Sequence, residues 1–171
     1  GFKDIFLIDS DGNVVYSVAK RSDLGANLRS GSLKNSGLGR AFARTAAGES
    51  EVIEDFSFYE PAKDQSMFIA TPLFDKGGQY FGSAAFQVSR GDINQIVQSR
   101  IGLKSSFESY LVGAGADGKT YLRSDRFVKK GNNIGDAKGG AGIRAAMKGE
   151  QGTPFKIGST GAYEFEVYQP L

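Results

Sequence analysis

The chain has 171 residues with no His, Cys or Trp, and its 21 Lys and Arg residues nearly balance 19 Asp and Glu residues. These absences exclude disulfides, zinc–thiolate sites and thiolate nucleophiles, and they remove the commonest general base. The interspersed charges form no basic stripe for nucleic acid, no apolar run is long enough to cross a bilayer, and the length suits one domain or two small ones.

The first predicted element is a β-hairpin in the segment DIFLIDSDGNVVYSVA, where two apolar runs flank Asp11-Gly12. Apolar and β-branched runs on either side of Asp-Gly are typical of two strands joined by a tight turn. The following segment, residues 20–37, is polar and rich in Gly and Ser, which predicts a loop.

A short helix is predicted next, in the segment GLGRAFARTAAG. Leu38, Ala41 and Phe42 share one helical face, Ser36 is placed to cap the N-terminus, and Gly48 stands where the helix should stop.

Three strands and a second helix complete the first half of the chain. The runs SEVIEDFSFYE, SMFIATPLFD and QYFGSAAFQVS have the composition of strands, and DKGGQ between the last two has that of a tight turn. In the following segment, RGDINQIVQSRIG, apolar residues recur at helical spacing at Ile93, Ile96, Val97 and Ile101.

The pattern then begins again. Asp11-Gly12 recurs as Asp117-Gly118, 106 positions later, and AGIRAAMKGE resembles GRAFARTAAGE. Such internal similarity predicts a repeat. We therefore expect an α+β fold of two tandem modules, residues 1–103 and 104–171, each a mostly antiparallel sheet flanked by helices, with the second module truncated at its C-terminus.

One motif suggests a nucleotide hydrolase, because Gly113–Thr120 fits the phosphate-loop pattern G-x-x-x-x-G-K-[ST]. A phosphate loop needs a helix directly behind it, yet a polar, charged run follows Thr120. The first half of the chain has a plain Asp-Gly turn at the equivalent place. The sequence therefore favours a hairpin here.

The remaining polar groups predict no catalytic residue, metal site or cofactor. Asp9 and Asp11 match only the start of a calcium loop, so a turn is the better interpretation. Glu51 and Glu54 are expected on a solvated strand edge. Without His, no Ser has an evident base partner, and we predict that the chain is not an enzyme.

A ligand pocket is predicted on the sheet, although an ordinary core explains the same residues equally well. Strand alternation places Phe56 and Phe58 on one face and Tyr59 on the other. A pocket needs apolar walls and a few polar anchors. The predicted ligand-binding residues are Phe56, Phe58, Tyr59, Met67, Ile69, Ser83 and Gln87, with Tyr59, Ser83 and Gln87 as the polar anchors.

These segments, in this order, resemble the double Cache sensor domain, a tandem of PAS-like modules. The resemblance rests on DIFLIDSDGNVVYSVAKRSDLGANL, SGLGRAF and FIATPLFDKGGQYFGSAAFQVSRGDINQIV in the first half, and on SYLVGAGADGKTYLRSDRF through YQPL in the second. It implies the periplasmic or extracytoplasmic ligand-binding part of a bacterial inner-membrane receptor, most often a methyl-accepting chemotaxis protein, although sensor kinases and cyclases carry such domains too.

The resemblance also implies partners. A small-molecule metabolite is expected to bind reversibly in the first module, the full-length receptor is expected to be a homodimer, and the membrane is contacted only through flanking segments. No nucleic acid is expected. The alternative is a structural or dimerisation module with a vestigial pocket.

One departure from the family bears on the ligand. Amino-acid-binding members carry an Asp on the last strand of the first module, and the matching position here is Gln87. A neutral amide offers no charge to pair with an ammonium, and a buried ammonium without an anion is costly. The sequence therefore disfavours an α-amino acid and leaves a carboxylate, a neutral metabolite or a nitrogenous heterocycle open.

Overall fold

A computed structural model describes residues 2–99, 107–115, 117–128, 131–158 and 161–171. Two units can be distinguished, Gly1–Phe107 and Glu108–Leu171. The boundary expected between residues 103 and 104 lies outside the described residues, as does Ile101. Both units combine helices with antiparallel strand pairs, so the predicted α+β class is confirmed.

The first unit is built on a five-stranded sheet of order β2-β1-β5-β4-β3. Every neighbouring pair in it is antiparallel. The strands are β1 (Asp4–Asp9), β2 (Val14–Ser17), β3 (Val52–Tyr59), β4 (Asp64–Phe74) and β5 (Tyr80–Ser89).

The predicted first hairpin is present as β1 and β2. Its turn closes where the Asp9 N–H donates to the Asn13 carbonyl and the Gly12 N–H donates to the Asp9 carbonyl, both at 3.0 Å. Gly12 has a φ of +90°, which L side chains rarely adopt.

Helix α1 (Gly37–Ala46) packs on one face of this sheet. Its N-cap is Ser36, whose hydroxyl accepts a hydrogen bond from the Gly39 N–H, as the sequence predicts. The buried face of α1 includes Leu38, Ala41 and Phe42. These side chains complete the core with buried residues of the sheet and loops, namely Phe6, Ile8, Val14, Leu28, Leu33, Val52, Tyr59, Phe68, Ala70 and Ala85.

Strand β3 contains a bulge that reverses its alternation. β3 advances from Glu54 to Ser57 while the paired strand β4 advances only from Phe68 to Ser66. One extra residue on β3 shifts every later side chain to the opposite face. For this reason Val52 and Tyr59 are both buried on the α1 side although they are seven positions apart.

Two shorter helical segments lie near the ends of strands. A 3-10 turn (Glu60–Ala62) joins β3 to β4. Helix α2 (Arg90–Val97) follows β5 directly and begins with a capping box, in which Ser89 and Asp92 bond reciprocally. This confirms the second predicted helix, although Ile96 is 72% exposed.

The second unit is smaller. It contains the hairpin β6 (Val112–Ala114) and β7 (Thr120–Leu122), helix α3 (Ala141–Ala146) and the pair β8 (Phe155–Ile157) and β9 (Tyr163–Phe165). No helix in the described parts of the chain is long and apolar enough to span a bilayer.

Candidate functional site

Polar side chains are buried on the α1 face of the first sheet, where apolar residues would be expected. Asp4 opens β1 and pairs with Gln87 of β5, which in turn pairs with Phe68 of β4. Because paired residues share a face, Asp4 and Gln87 project into the same layer as Phe68. Both are buried, as is Ser66.

Asp4 is fully engaged in hydrogen bonds. Its Oδ1 accepts from the backbone N–H groups of Ile5 and Ala19 at 2.8 and 3.0 Å. Its Oδ2 accepts from the Ser17 hydroxyl at 3.0 Å and from Arg21 Nη1 at 3.3 Å. The carboxylate therefore fastens the end of the first hairpin and the start of the following loop to the sheet.

Gln87 joins two elements. Its Nε2 donates to the Ser66 hydroxyl of β4 at 2.7 Å, and its Oε1 accepts from Arg21 Nη1 at 3.4 Å. Both the nitrogen and the oxygen of the amide are therefore hydrogen-bonded within the first unit. Arg21 is shared between Gln87 and Asp4.

Asp23 lies in the loop after β2 and is 0% exposed. Its Oδ2 accepts a 2.9 Å hydrogen bond from the Tyr59 hydroxyl at the end of β3. Its Oδ1 is buried and has no hydrogen-bond partner among the described residues. Burial raises the pKa of Asp23, and the negative charge of Asp4 adds to that rise against the opposing effects of Tyr59 and Arg21.

We call these groups the buried polar cluster. Burial also raises the pKa of Tyr59, helped by the charge of Asp23, so its hydroxyl stays protonated and able to donate. The cluster combines two carboxyl groups with one guanidinium, one amide and three hydroxyls. Its members are Asp4, Ser17, Arg21, Asp23, Tyr59, Ser66 and Gln87.

The predicted polar anchors are only partly brought together. Tyr59 and Gln87 belong to the buried polar cluster, but Ser83 does not. Ser83 lies four residues from Gln87 along β5, roughly 13 Å at the rise of a strand. Its hydroxyl is hydrogen-bonded to those of Thr45 at 2.7 Å and Tyr80 at 2.9 Å.

The predicted apolar walls lie on the other side of the sheet. Met67 pairs with Val88 and Ile69 with Phe86, positions of opposite parity to Gln87. Phe58 is exposed, and Phe56 is half-buried at the bulge. The prediction that these walls share one pocket with Gln87 and Tyr59 is wrong, because adjacent strand residues face opposite sides.

Sequence reasoning missed five members of the cluster: Asp4, Ser17, Arg21, Asp23 and Ser66. One signal was available, because Asp4 has the same parity as the apolar residues Phe6 and Ile8 and therefore faces the core. Arg21 and Asp23 lie in an aperiodic loop, where no pattern distinguishes a buried charge from a solvated one.

The phosphate-loop motif forms a hairpin. Thr120 begins strand β7 and pairs with Ala114 of β6, so no helix starts behind it. Lys119 is exposed and lies 3.5 Å from the Asp117 carboxylate. Ala116 of the motif lies outside the described residues. The nucleotide-hydrolase alternative therefore lacks the helix N-terminus that would hold phosphate.

Two concave surfaces lie elsewhere. A groove of about 470 Å³ in the first unit has Phe42 and Leu28 in its lining together with Arg29, Lys34 and Arg40. A cavity of about 150 Å³ in the second unit is lined by groups that include Tyr110, Arg126, Lys156 and Glu166.

Charged residues that line the cavity of the second unit take part in ion pairs. Arg126 pairs with Glu108, and Lys156 lies 2.6 Å from Glu166. Burial works to raise the pKa of Glu108, but the hydrogen bonds of Arg126 and the Val128 N–H lower it overall. Over the described residues, no group of three or more acidic side chains is arranged to hold a metal ion.

No family model and no curated protein matches this chain. Solved structures do match. An extracellular ligand-binding receptor from Desulfohalobium retbaense is 16% identical with a TM-score of 0.60, covering 91% of this chain and 26% of its own. The ligand-binding domain of the Pseudomonas fluorescens chemoreceptor CtaA, in complex with L-leucine, is 12% identical with a TM-score of 0.57, covering 96% and 62%.

A third match is the ligand-binding domain of the Pseudomonas aeruginosa amino-acid chemoreceptor PctB in complex with L-Gln. It is 16% identical with a TM-score of 0.56, and the alignment covers 96% of this chain and 60% of the other. This chain thus spans between 26% and 62% of the length of these three proteins. The fold is therefore that of extracellular ligand-binding sensor domains, as the Cache resemblance implied.

Proposed function

We propose that this chain is the small-molecule-sensing part of a bacterial transmembrane receptor, with the ligand bound reversibly in the first unit. The observation that carries the proposal is the buried polar cluster, in which Asp23 Oδ1 is removed from water and has no hydrogen-bond partner in the part of the chain that the structure describes. A buried polar group of that kind is costly to the fold unless something binds it.

Apolar side chains surround the cluster. Phe6 and Phe68 supply apolar surface with ring centroids 6.2 Å apart, and the Tyr59 ring meets Phe68 edge-on at 4.9 Å. Small-molecule sites typically combine such apolar walls with a few fixed polar groups. Tyr59 and Gln87 are the polar anchors we retain from the sequence prediction.

The matched solved structures agree with a small-molecule partner, since two of them hold amino acids. Their identity to this chain is 12% and 16%, which carries over the fold and no ligand. The chemical class of the ligand is argued from the cluster itself, below.

We further propose that the chain is a tandem of two modules, residues 1–103 and 104–171. Two sets of equivalent backbone hydrogen bonds support this. The Gly12 N–H donates to Asp9 as the Gly118 N–H donates to Gly115, 106 positions later. The Gly48 and Gly149 N–H groups each donate to the carbonyl three positions earlier, just after their helices.

In the full receptor we propose an extracytoplasmic location, anchored in the inner membrane by segments outside this chain, and a homodimeric state. Chemotaxis is the output that the resemblance favours. Ligand binding would shift the equilibrium between two arrangements of the dimer, because a ligand favours the state to which it binds more tightly. Gln87 lies two residues before the N-cap of α2, so a change at the cluster can pass directly to that helix.

We also propose that the chain performs no chemistry. The carboxyl groups of the cluster, Asp4 and Asp23, are buried and accept hydrogen bonds from groups of the same unit, which supports a structural or binding role for them rather than a catalytic one. The second candidate function is a structural or dimerisation module, favoured by the extent to which the cluster satisfies its own hydrogen bonds.

A thermal-shift screen of the 171-residue chain against a metabolite library tests the proposal. Ligands of the native state raise the unfolding midpoint by mass action, and the rise should be lost in Tyr59→Phe and kept in Tyr121→Phe. If no compound in the library raises the unfolding midpoint, the structural or dimerisation module is favoured. A rise with MgATP that disappears in Lys119→Ala would instead revive the nucleotide site.

A further inference from the structure

We propose that the buried polar cluster takes an organic cation bearing N–H groups, a primary ammonium or a guanidinium, held by Asp23 Oδ1. The inference rests on the proposed function, because it names the class of ligand for the same site. It is carried by the hydrogen bonds and charges of the cluster, and it assigns the anchoring role to a loop residue that no sequence pattern singles out.

The two carboxyl groups of the cluster differ sharply in how they are satisfied. Asp4 accepts four hydrogen bonds, two on each oxygen, from two backbone N–H groups, Ser17 and Arg21. Asp23 accepts one side-chain hydrogen bond, from Tyr59, and only on Oδ2. Both residues are buried to the same degree. Among the described residues, the buried acceptor that lacks a partner in this part of the unit is therefore Asp23 Oδ1.

The other members of the cluster are hydrogen-bonded to each other at several points. Arg21 Nη1 points to Asp4 and Gln87, and the Gln87 amide spans Arg21 and Ser66. The Tyr59 hydroxyl, a single donor, is used on Asp23 Oδ2. The group that completes the cluster must therefore bring its own donor, which excludes a ligand that presents only acceptors to Asp23.

The charges of the cluster also favour a cationic ligand. The titratable and charged groups that act on Asp23 are Asp4, Arg21 and Tyr59. With both carboxyl groups ionised, two negative charges face one guanidinium, so the cluster carries an excess of one negative charge. A cation placed on Oδ1 balances it, and a charge-assisted hydrogen bond of this kind is about twice as strong as a neutral one.

The carboxyl group of Asp23 changes the conclusion drawn from Gln87 about the ligand. Its neutral amide had suggested that a ligand ammonium would lack an anion. The anion is present but belongs to the loop, at Asp23. Arg21 Nη1 is used on Asp4 and Gln87. The proposal requires no ligand carboxylate, so a simple alkylammonium is the smallest ligand that tests it.

The probe is ethylammonium chloride, with guanidinium at low millimolar concentration as a second cation, measured by calorimetry and by the unfolding midpoint of the 171-residue chain. Ethanol, sodium acetate, tetramethylammonium and sodium chloride at equal ionic strength are the controls, because none offers a cationic N–H. We expect the two N–H cations to bind and to raise the midpoint, and the four controls to do neither.

Asp23→Asn is the decisive variant, since it keeps the side-chain volume and an acceptor for Tyr59 but removes the charge. We expect it to weaken ethylammonium binding at least about tenfold, which corresponds to 1.4 kcal/mol. Asp11→Asn is the matched control: it makes the same change at an exposed position of the same unit, and it should leave the affinity unchanged.

A second measurement holds even if Asp23→Asn folds poorly. In the unaltered chain, the affinity for ethylammonium should fall as the pH is lowered through the raised pKa of Asp23, because the cation binds the ionised carboxyl and is itself charged throughout. Carboxyl-carbon NMR should show the Asp23 titration moving to lower pH when ethylammonium is present. A pH-independent affinity would overturn the assignment.

The outcomes separate this inference from the proposed function. If neutral or anionic metabolites stabilise the chain through Tyr59 while the N–H cations do not, the sensor function stands and the cation assignment is wrong. If the cations bind equally well to Asp23→Asn, they bind elsewhere and the assignment is again wrong. If no compound of either kind binds, both proposals are contradicted.

Discussion

The Tyr59 hydroxyl donates a 2.9 Å hydrogen bond to Oδ2 of Asp23, which joins the end of β3 to the loop after β2. Both side chains are 0% exposed. The bond therefore attaches the loop after β2, which has no regular structure, to β3 at the edge of the sheet. A charged acceptor in this environment also makes the bond stronger than a neutral one.

Removing this donor should destabilise the fold. Tyr59→Phe keeps the ring against Phe68 but leaves both Asp23 oxygens without a side-chain donor. Hydrogen bonds to charged groups contribute about 1.5–3 kcal/mol, so we expect the free energy of unfolding at pH 7 to fall by about 2 kcal/mol. Urea unfolding followed by circular dichroism measures the loss.

Tyr121→Phe is the matched control for that experiment. Its hydroxyl also donates to a carboxylate, Asp117, at 2.6 Å, but in an exposed setting. We expect a loss of at most about 0.5 kcal/mol there. Equal losses in the two variants would contradict the special strength we assign to the Tyr59–Asp23 bond.

Stability should depend on pH in a direction set by Asp23. Burial raises its pKa in the folded state above the value of the unfolded chain. The native state therefore retains the proton to higher pH, and the contribution of this group is fully present below the unfolded pKa of about 3.9 and is lost as the pH rises through the folded pKa.

Asp23→Asn makes that contribution measurable, because an amide does not titrate. The difference in unfolding free energy between the ligand-free variant and the unaltered chain should grow in favour of Asp23→Asn as the pH is raised from about 4 to 7. The comparison needs denaturant curves at several pH values. If the difference in unfolding free energy does not change with pH, or grows toward low pH, then ionisation of Asp23 does not destabilise the fold and the prediction is wrong.

A further prediction concerns the attachment of α1 to the sheet. The Glu54 carboxylate accepts from Arg40 Nε at 2.7 Å and from Arg44 Nη1 at 3.2 Å, both on α1. The side chain of Glu54 is 14% exposed, so the expectation of a solvated strand edge is wrong at this position. We expect Glu54→Gln to cost about 1–2 kcal/mol.

Glu51→Gln controls for the loss of a negative charge on the same strand end, since Glu51 is exposed. Its effect should lie within about 0.5 kcal/mol of zero. Denaturant midpoints at low and high salt distinguish the two: the Glu54 effect should persist at high salt because that carboxylate is shielded from solvent.

The elements of the first unit follow from sequence because their signals are local. Alternation, Asp11-Gly12 and the Ser36 cap each act within a few residues, so hairpin, helix and strands are all recovered. The bulge between Glu54 and Ser57 has no such signal. It follows from how β3 pairs with β4, and it places Tyr59 on the α1 face whereas Phe58 is exposed.

The site was harder to predict for a related physical reason. A strand residue such as Gln87 has a face that parity determines, so its place in the cluster could be anticipated. Asp23 and Arg21 lie in a loop whose path depends on distant partners, Tyr59 in one case and Asp4 with Gln87 in the other. Contacts of that kind cannot be read from spacing along the chain.

The turn of the first hairpin allows a test that separates backbone strain from packing. Gly12 and Gly25 both have positive φ, +90° and +82°. A Cβ on Gly12 would lie 2.9 Å from Arg29 Cγ and 3.1 Å from Phe42 Cε1, whereas no described heavy atom would lie within 4 Å of one on Gly25. Gly25→Ala therefore measures the backbone cost alone, about 1 kcal/mol.

Gly12→Ala adds a collision with α1 to the same backbone cost. Phe42 is buried in the core and cannot move away freely, so we expect a further loss of about 1–2 kcal/mol. The total should exceed that of Gly25→Ala in urea unfolding at matched conditions. If the two variants lose the same amount of stability, the added methyl group at Gly12 is accommodated without displacing Phe42, and the packing argument is wrong.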